Sequence, residues 1–140
     1  MIQRIQSLYL LLGSIAVASP LLFSTISVQE AAVNWFPWVR IALSVLAALL
    51  ALVALVGYGN RKRQSVIAFY AQICVLLLLM VVVSTTVLYG VRPGVETWTK
   101  DPYYLSALIL PSVAYILFGL ARRAIRKDVE LVKSMDRLRD

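Results

Sequence analysis

The chain has 140 residues, of which 61% are hydrophobic and only 15% charged; a soluble domain averages about 25% charged. Its mean hydropathy is +0.81, and it carries a net charge of +7, no histidine and a single cysteine. This composition excludes a separate soluble domain, an intrachain disulfide and histidine-ligated haem, and it leaves Cys74 by itself as a poor metal ligand.

Four apolar stretches fill most of the length: about Ser7–Ile26, Ile41–Gly59, Ser65–Tyr89 and Tyr103–Ala121. None holds a Lys, Arg, Asp, Glu or His. A bilayer core about 30 Å thick is crossed by about 20 apolar residues in a helix, so each stretch is long enough to span. The fold class expected is all-α: a polytopic membrane protein, with a four-transmembrane-helix bundle over residues 1–121 and a basic amphipathic cytoplasmic helix over 122–140. One rival concerns the N-terminus. Arg4, an apolar run and Ala16-Val17-Ala18 resemble a signal peptide with its cleavage site. The run continues through Leu21-Leu22-Phe23, however, and Pro20 follows the cut too closely, so a first span is the preferred reading.

The first span carries Gly13, Ala16 and Pro20 on one side at helical spacing. Trp35, Phe36 and Trp38 mark an interfacial border before the second span, as Trp98, Tyr103 and Tyr104 do before the fourth. The second span places Ser44, Ala47, Ala48, Ala51 and Ala54 on one side, and small residues let helices approach closely in lipid. In the third span, Gln72 lies among Ala68, Leu79, Val83 and Thr86. A buried amide in lipid seeks an interhelical partner, and a substrate or proton path is the alternative. Such paths usually show intramembrane Asp, Glu, Lys, Arg or His, and here there are none. The fourth span groups Ser112, Tyr115 and Gly119, and contains Pro111. Proline frees the carbonyl of Ala107, so a kink is expected there, with Ser112 placed to help satisfy the freed backbone.

The charges set an orientation. The first and third loops together hold Arg40, Arg92 and Lys100 against Glu30, Glu96 and Asp101. The opposite side holds Arg4, the Arg61-Lys62-Arg63 turn and the tail, with 11 basic residues against Asp128, Glu130, Asp136 and Asp140. Lys and Arg near span ends stay cytoplasmic, which puts both termini and the middle turn in the cytoplasm. The same rule accounts for the basic balance, so nucleic-acid binding is not expected.

No Pro or Gly interrupts the chain from Arg122 to Asp140. On a helical wheel Ala124, Ile125, Val129, Leu131, Val132, Met135 and Leu138 share one half, and Arg122, Arg123, Arg126, Lys127, Lys133 and Arg137 the other. Such a helix can lie on anionic headgroups, dock a partner or sister copy, or pack on the bundle's own end. Arg122, Arg123, Arg126 and Lys127 are the expected headgroup or partner contacts.

Both ends resemble a known pattern. The opening Met1-Ile2-Gln3-Arg4-Ile5-Gln6-Ser7-Leu8-Tyr9-Leu10-Leu11-Leu12 and the tail Leu120-Ala121-Arg122-Arg123-Ala124-Ile125-Arg126-Lys127-Asp128, then Leu131-Val132-Lys133-Ser134-Met135-Asp136-Arg137-Leu138-Arg139, are similar to the terminal signatures of an uncharacterised four-span family of Bacteroidetes bacteria. The resemblance implies an inner-membrane protein with a domain of unknown function and brings no catalytic residue. Gln3, Arg4 and Gln6 are expected at the membrane face of the tail, within reach of it.

No catalytic, metal or cofactor motif is present. The expected role is therefore non-enzymatic: a small scaffold or accessory subunit of an inner-membrane assembly, in contact with lipid and with a membrane-protein partner or its own copies. The alternative is a small transporter or channel acting as an oligomer, although the paired broken helices of most transporters are missing.

Overall fold

The computed structural model describes residues 2–22, 33–88 and 102–139, with side chains over 5–22, 33–88 and 106–139. Four helices result: α1 (Ile2–Leu22), α2 (Phe36–Val56), α3 (Arg61–Leu88) and α4 (Pro102–Arg139). Each is long and apolar enough to cross a membrane. The first- and third-loop charges Glu30, Arg92, Glu96, Lys100 and Asp101, the expected border residue Trp98, and the side chains of Gln3, Arg4, Tyr103 and Tyr104 lie outside the described residues.

Each helix packs on two neighbours: α1 on α2 and α4, and α3 on α2 and α4. The buried positions explain why. They include Gln6, Leu10, Gly13, Val17 and Pro20 on α1, and Ser44, Ala47, Ala51 and Ala54 on α2. On α3 they include Gln64, Ala68, Ala71, Val75, Leu78, Val82 and Thr85, and on α4 they are Pro111, Ala114, Phe118, Ala121, Ile125 and Asp128. These runs alternate steps of three and four, the 3.5-residue period that keeps one seam facing its partners in a left-handed bundle; Ser14, Phe36 and Cys74 are buried beside them. The seams are rich in Ala, Gly and Ser, as close packing in lipid requires. Meanwhile large apolar side chains point outward on all four helices, among them Ile15, Leu49, Val53, Met80 and Ile116. An apolar exterior around a small-residue interior is the arrangement a lipid solvent favours.

The stripe expected on α2 is the seam itself, with Ala48 half-buried at its edge. On α1, Gly13 and Pro20 are buried and Ala16 is half-buried. On α4 the inward face is displaced from expectation. Ser112, Tyr115 and Gly119 are only half-buried, and Phe118 occupies the seam beside them. The large ring wins that position because Gly13 of α1 makes room for it; a Cβ on Gly13 would stand 2.8 Å from Phe118 Cδ1 and closer still to Cε1.

Several hydroxyl groups of the spans are satisfied locally. Thr85 Oγ1 donates to the carbonyls of Val81 and Val82 at 3.0 and 2.9 Å, and Ser14 Oγ to Leu11 at 2.7 Å. Pro20 has no N–H for the carbonyl of Ala16, and the Ser19 hydroxyl supplies the donor at 3.1 Å. At Pro111 the helix runs on unbroken. Ser112 Oγ donates 2.7 Å to the carbonyl of Leu108, not to that of Ala107.

The second stretch ends earlier than its apolar run. Gly57–Gly59 form a turn, in which Gly57 N–H bonds the Val53 carbonyl at 2.9 Å. Asn60 then starts α3, its Oδ1 accepting from Arg63 N–H at 3.2 Å, the usual work of a helix-capping side chain. The brevity of this turn makes α2 and α3 antiparallel neighbours.

Candidate functional site

α4 does not stop where its apolar run ends at Ala121 but continues to Arg139. The basic cluster is therefore helical and keeps the register of the span below it. Beside the buried seam runs a second stripe, Tyr115, Gly119, Arg122 and Arg126, spaced four, three and four residues apart. It faces Gln72 of α3. Gln72 Oε1 accepts a hydrogen bond from Arg122 Nη1 at 2.8 Å, and the Arg122 guanidinium lies 4.4 Å from the centre of the Phe69 ring. Amide and ring thus hold one cation from two sides, by a charge-assisted hydrogen bond and a cation–π contact. Arg122 Nε is buried without a hydrogen-bond partner.

Around this pair opens a concavity of about 410 Å³, lined by Gln72, Tyr115, Ile116, Gly119, Leu120, Arg122, Arg123 and Arg126. Gly119 keeps it open: a Cβ there would come within 3.3 Å of Gln72 Nε2. The lining includes no carboxylate, thiol or imidazole. Its polar groups are three guanidiniums, the Gln72 amide and the Tyr115 phenol, set beside apolar walls, a combination suited to holding an anion.

A second polar contact ties the same end together. Arg61 Nη1, in the first turn of α3, lies 3.0 Å from Asp128 Oδ2 on α4. Going from Gln72 to Arg61 moves toward the start of α3, and from Arg122 to Asp128 toward the end of α4. The two contacts therefore also define the helices as antiparallel. The Asp128 oxygen lacks a well-directed hydrogen bond, so the pair acts mainly by charge.

The sequence-derived residues thus separate. Gln72, Arg122, Arg123 and Arg126 converge on one concavity. Lys127 is exposed and outside its lining, and Pro111 is buried in the seam away from it. Arg122, expected as a headgroup or partner contact, also touches Gln72 and Phe69 of α3. Gln6 is buried with Nε2 unbonded. Sequence reasoning missed Asp128 and Phe69. The signal for Asp128 was its place within the apolar half of the wheel, three residues after Ile125; Phe69 carried none. Among the described residues, no group of three His, Cys, Asp or Glu is placed to hold a metal.

A family model, described as "Domain of unknown function (DUF4293)", matches residues 2–138. The chain belongs to the DUF4293 family. No curated protein and no solved structure matches it. The match spans all four helices and nearly all of the extended α4, so the basic end is part of the family domain.

Proposed function

We propose that this DUF4293 protein is a multi-pass protein of the inner membrane of a Bacteroidetes bacterium, with both termini and the Arg61–Arg63 turn in the cytoplasm. Its role is non-enzymatic: a scaffold or accessory subunit that offers the outer turns of α4, as an amphipathic helix, to a partner of the same membrane assembly.

One observation carries this reading. The α4 seam Ala121, Ile125 and Asp128 continues in the same three-four rhythm to Val132 and Met135, yet every residue from 131 to 139 is exposed. Leu131, Val132, Met135 and Leu138 are 49, 46, 69 and 89% exposed. A helix of 38 residues at 1.5 Å per residue is about 57 Å long, and only about 30 Å of it is needed to cross the hydrocarbon. The remainder repeats the pattern that packs the bundle but has no helix to pack on among the described residues. The neighbouring Lys133 and Arg137 favour a partner helix with an acidic flank over a second copy of this basic tail.

Affinity purification of the full chain in mild detergent tests the role. A stoichiometric partner that is lost when Val132, Met135 and Leu138 are changed to Ser supports it. A homo-oligomer that conducts solute in liposomes refutes it and favours a channel. Cysteine labelling from outside the cell, in a Cys74→Ala background, tests the topology. Cysteines at Glu30 or Glu96 are expected to react with an impermeant reagent, and one at Lys62 to be protected; the reverse pattern sinks it.

A further inference from the structure

Helix packing accounts for the seams, and the positive-inside rule accounts for basic residues near the membrane. Neither accounts for the way Arg122 is held. A topology anchor needs only charge at the membrane edge; it needs no amide within a span to orient a guanidinium, and no open floor beside it. Here Gln72 and Phe69 fix Arg122 at 2.8 and 4.4 Å, and Nε is left as a buried donor without a partner. Such a donor calls for an acceptor. Arg123 and Arg126 border the same space. The planar fork of Arg matches phosphate oxygens, and an arm already fixed loses little freedom on binding. The remaining walls are apolar and face outward: Ile116 is 60% and Leu120 37% exposed.

We propose that this concavity binds the phosphate of an anionic phospholipid headgroup. The Arg122, Arg123 and Arg126 guanidinium groups that line it hold the phosphate oxygens, and the acyl chains run down Ile116 and Leu120. Basic pockets between membrane helices commonly take anionic headgroups in this way. Free phosphate would use the same arginines but leave the apolar walls without a role. Gly119 sets the depth of the site, because a larger side chain would displace Gln72 and fill the floor.

The test is native mass spectrometry of the full chain in mild detergent, titrated with phosphatidylglycerol or phosphatidylcholine. The wild type is expected to retain phosphatidylglycerol at least tenfold better. Arg123→Gln with Arg126→Gln is expected to weaken retention about 30-fold, or about 2 kcal/mol at 1.4 kcal/mol per tenfold, since each basic residue is worth about 1 kcal/mol near an anionic surface. Lys133→Gln with Arg137→Gln removes the same charge farther along α4 and is expected to leave retention unchanged. Gly119→Val keeps every charge but fills the floor, and is expected to lose the lipid while the purified protein stays folded and monodisperse. Equal losses in the two double variants, or full retention in Gly119→Val, would overturn the site in favour of diffuse attraction. Displacement of the lipid by millimolar inorganic phosphate would overturn the lipid assignment. Because retention is read in detergent, the result does not depend on which side of the membrane α4 faces or on what its outer turns contact.

Discussion

Gly13 packs directly against Phe118 between α1 and α4, and replacing Gly13 with Ala probes that contact. Phe118 is fully buried. The added methyl would stand 2.8 Å from ring atom Cδ1 and 3.2 Å from Cζ, whereas carbon atoms rest at about 3.5–4.0 Å. The ring must give way, or the two helices must separate over this contact. Inserting a methyl into a packed core costs about 1–3 kcal/mol, and the ring's full burial argues for the upper half of that range. Helix propensity acts the other way, favouring Ala over Gly by about 1 kcal/mol. The net expectation is a loss of about 1–2 kcal/mol in the free energy of unfolding, measured by denaturing-detergent titration of the purified protein. Phe118→Leu in the same background should relieve part of the clash, giving a coupling of at least 0.5 kcal/mol in a double-mutant cycle. An unfolding curve for Gly13→Ala that coincides with the wild type, or a double mutant whose losses simply add, would refute the close packing of α1 on α4.

Three further perturbations address the basic end. Gln72→Leu removes the acceptor from Arg122 and should cost about 1 kcal/mol, between the membrane average of about 0.6 and the about 1.5–3 of charged hydrogen bonds; Gln72→Glu, read in the same titration, should retain most of the stability. In a cycle of Arg61→Gln with Asp128→Asn, the coupling should be about 1 kcal/mol, because Asp128 is buried but the Arg61 side chain is 31% exposed and water screens that partner; it should shrink as salt is raised. Limited proteolysis should cut α4 first within 131–139, where every residue is exposed, and a bound partner should slow that cut.

Much of this architecture was legible in the chain because the bilayer is a simple solvent. Length and the absence of charge identify four helices without reference to packing. Small residues are likewise legible where they make up a whole face, as Ser44, Ala47, Ala51 and Ala54 do on α2. The α4 face was harder to read. Its stripe Ser112, Tyr115 and Gly119 looked like an inward face, but it is only half-buried and Tyr115 and Gly119 border the concavity, because Phe118 fits the seam only if Gly13 stands opposite. That complementarity belongs to two residues more than 100 positions apart in sequence, and no single-helix pattern contains it. The Gln72–Arg122 contact shows the same limit. Each residue stood out alone, the amide because it lay within a span and the arginine because it ended one, but the antiparallel register that joins them exists only in the bundle.

Asp128 shows how the span and the extension of α4 form one device. It occupies a seam position that on the neighbouring turns is filled by Ala121, Ile125 and Val132, and it is 9% exposed. A carboxylate there breaks the apolar pattern, and Arg61 offsets the charge from the first turn of α3. Replacing such a pair by apolar residues is often neutral or stabilising, so stability gives no strong reason to keep it. Register gives one. An apolar residue at 128 would make the seam continuous from Ala114 to Met135, and α4 could slide along its neighbours by one heptad without loss of pattern. A single buried polar position penalises that slip. With Asp128 paired to Arg61, Arg122 falls opposite Gln72, and Val132 and Met135 fall beyond the end of the bundle. The charge pair is therefore best understood as the feature that fixes where packing stops and where the exposed end of α4 begins. On this argument Asp128→Leu should preserve or raise stability. It should also weaken the Gln72–Arg122 coupling measured by a double-mutant cycle; an undiminished coupling in Asp128→Leu would show that the register is set elsewhere.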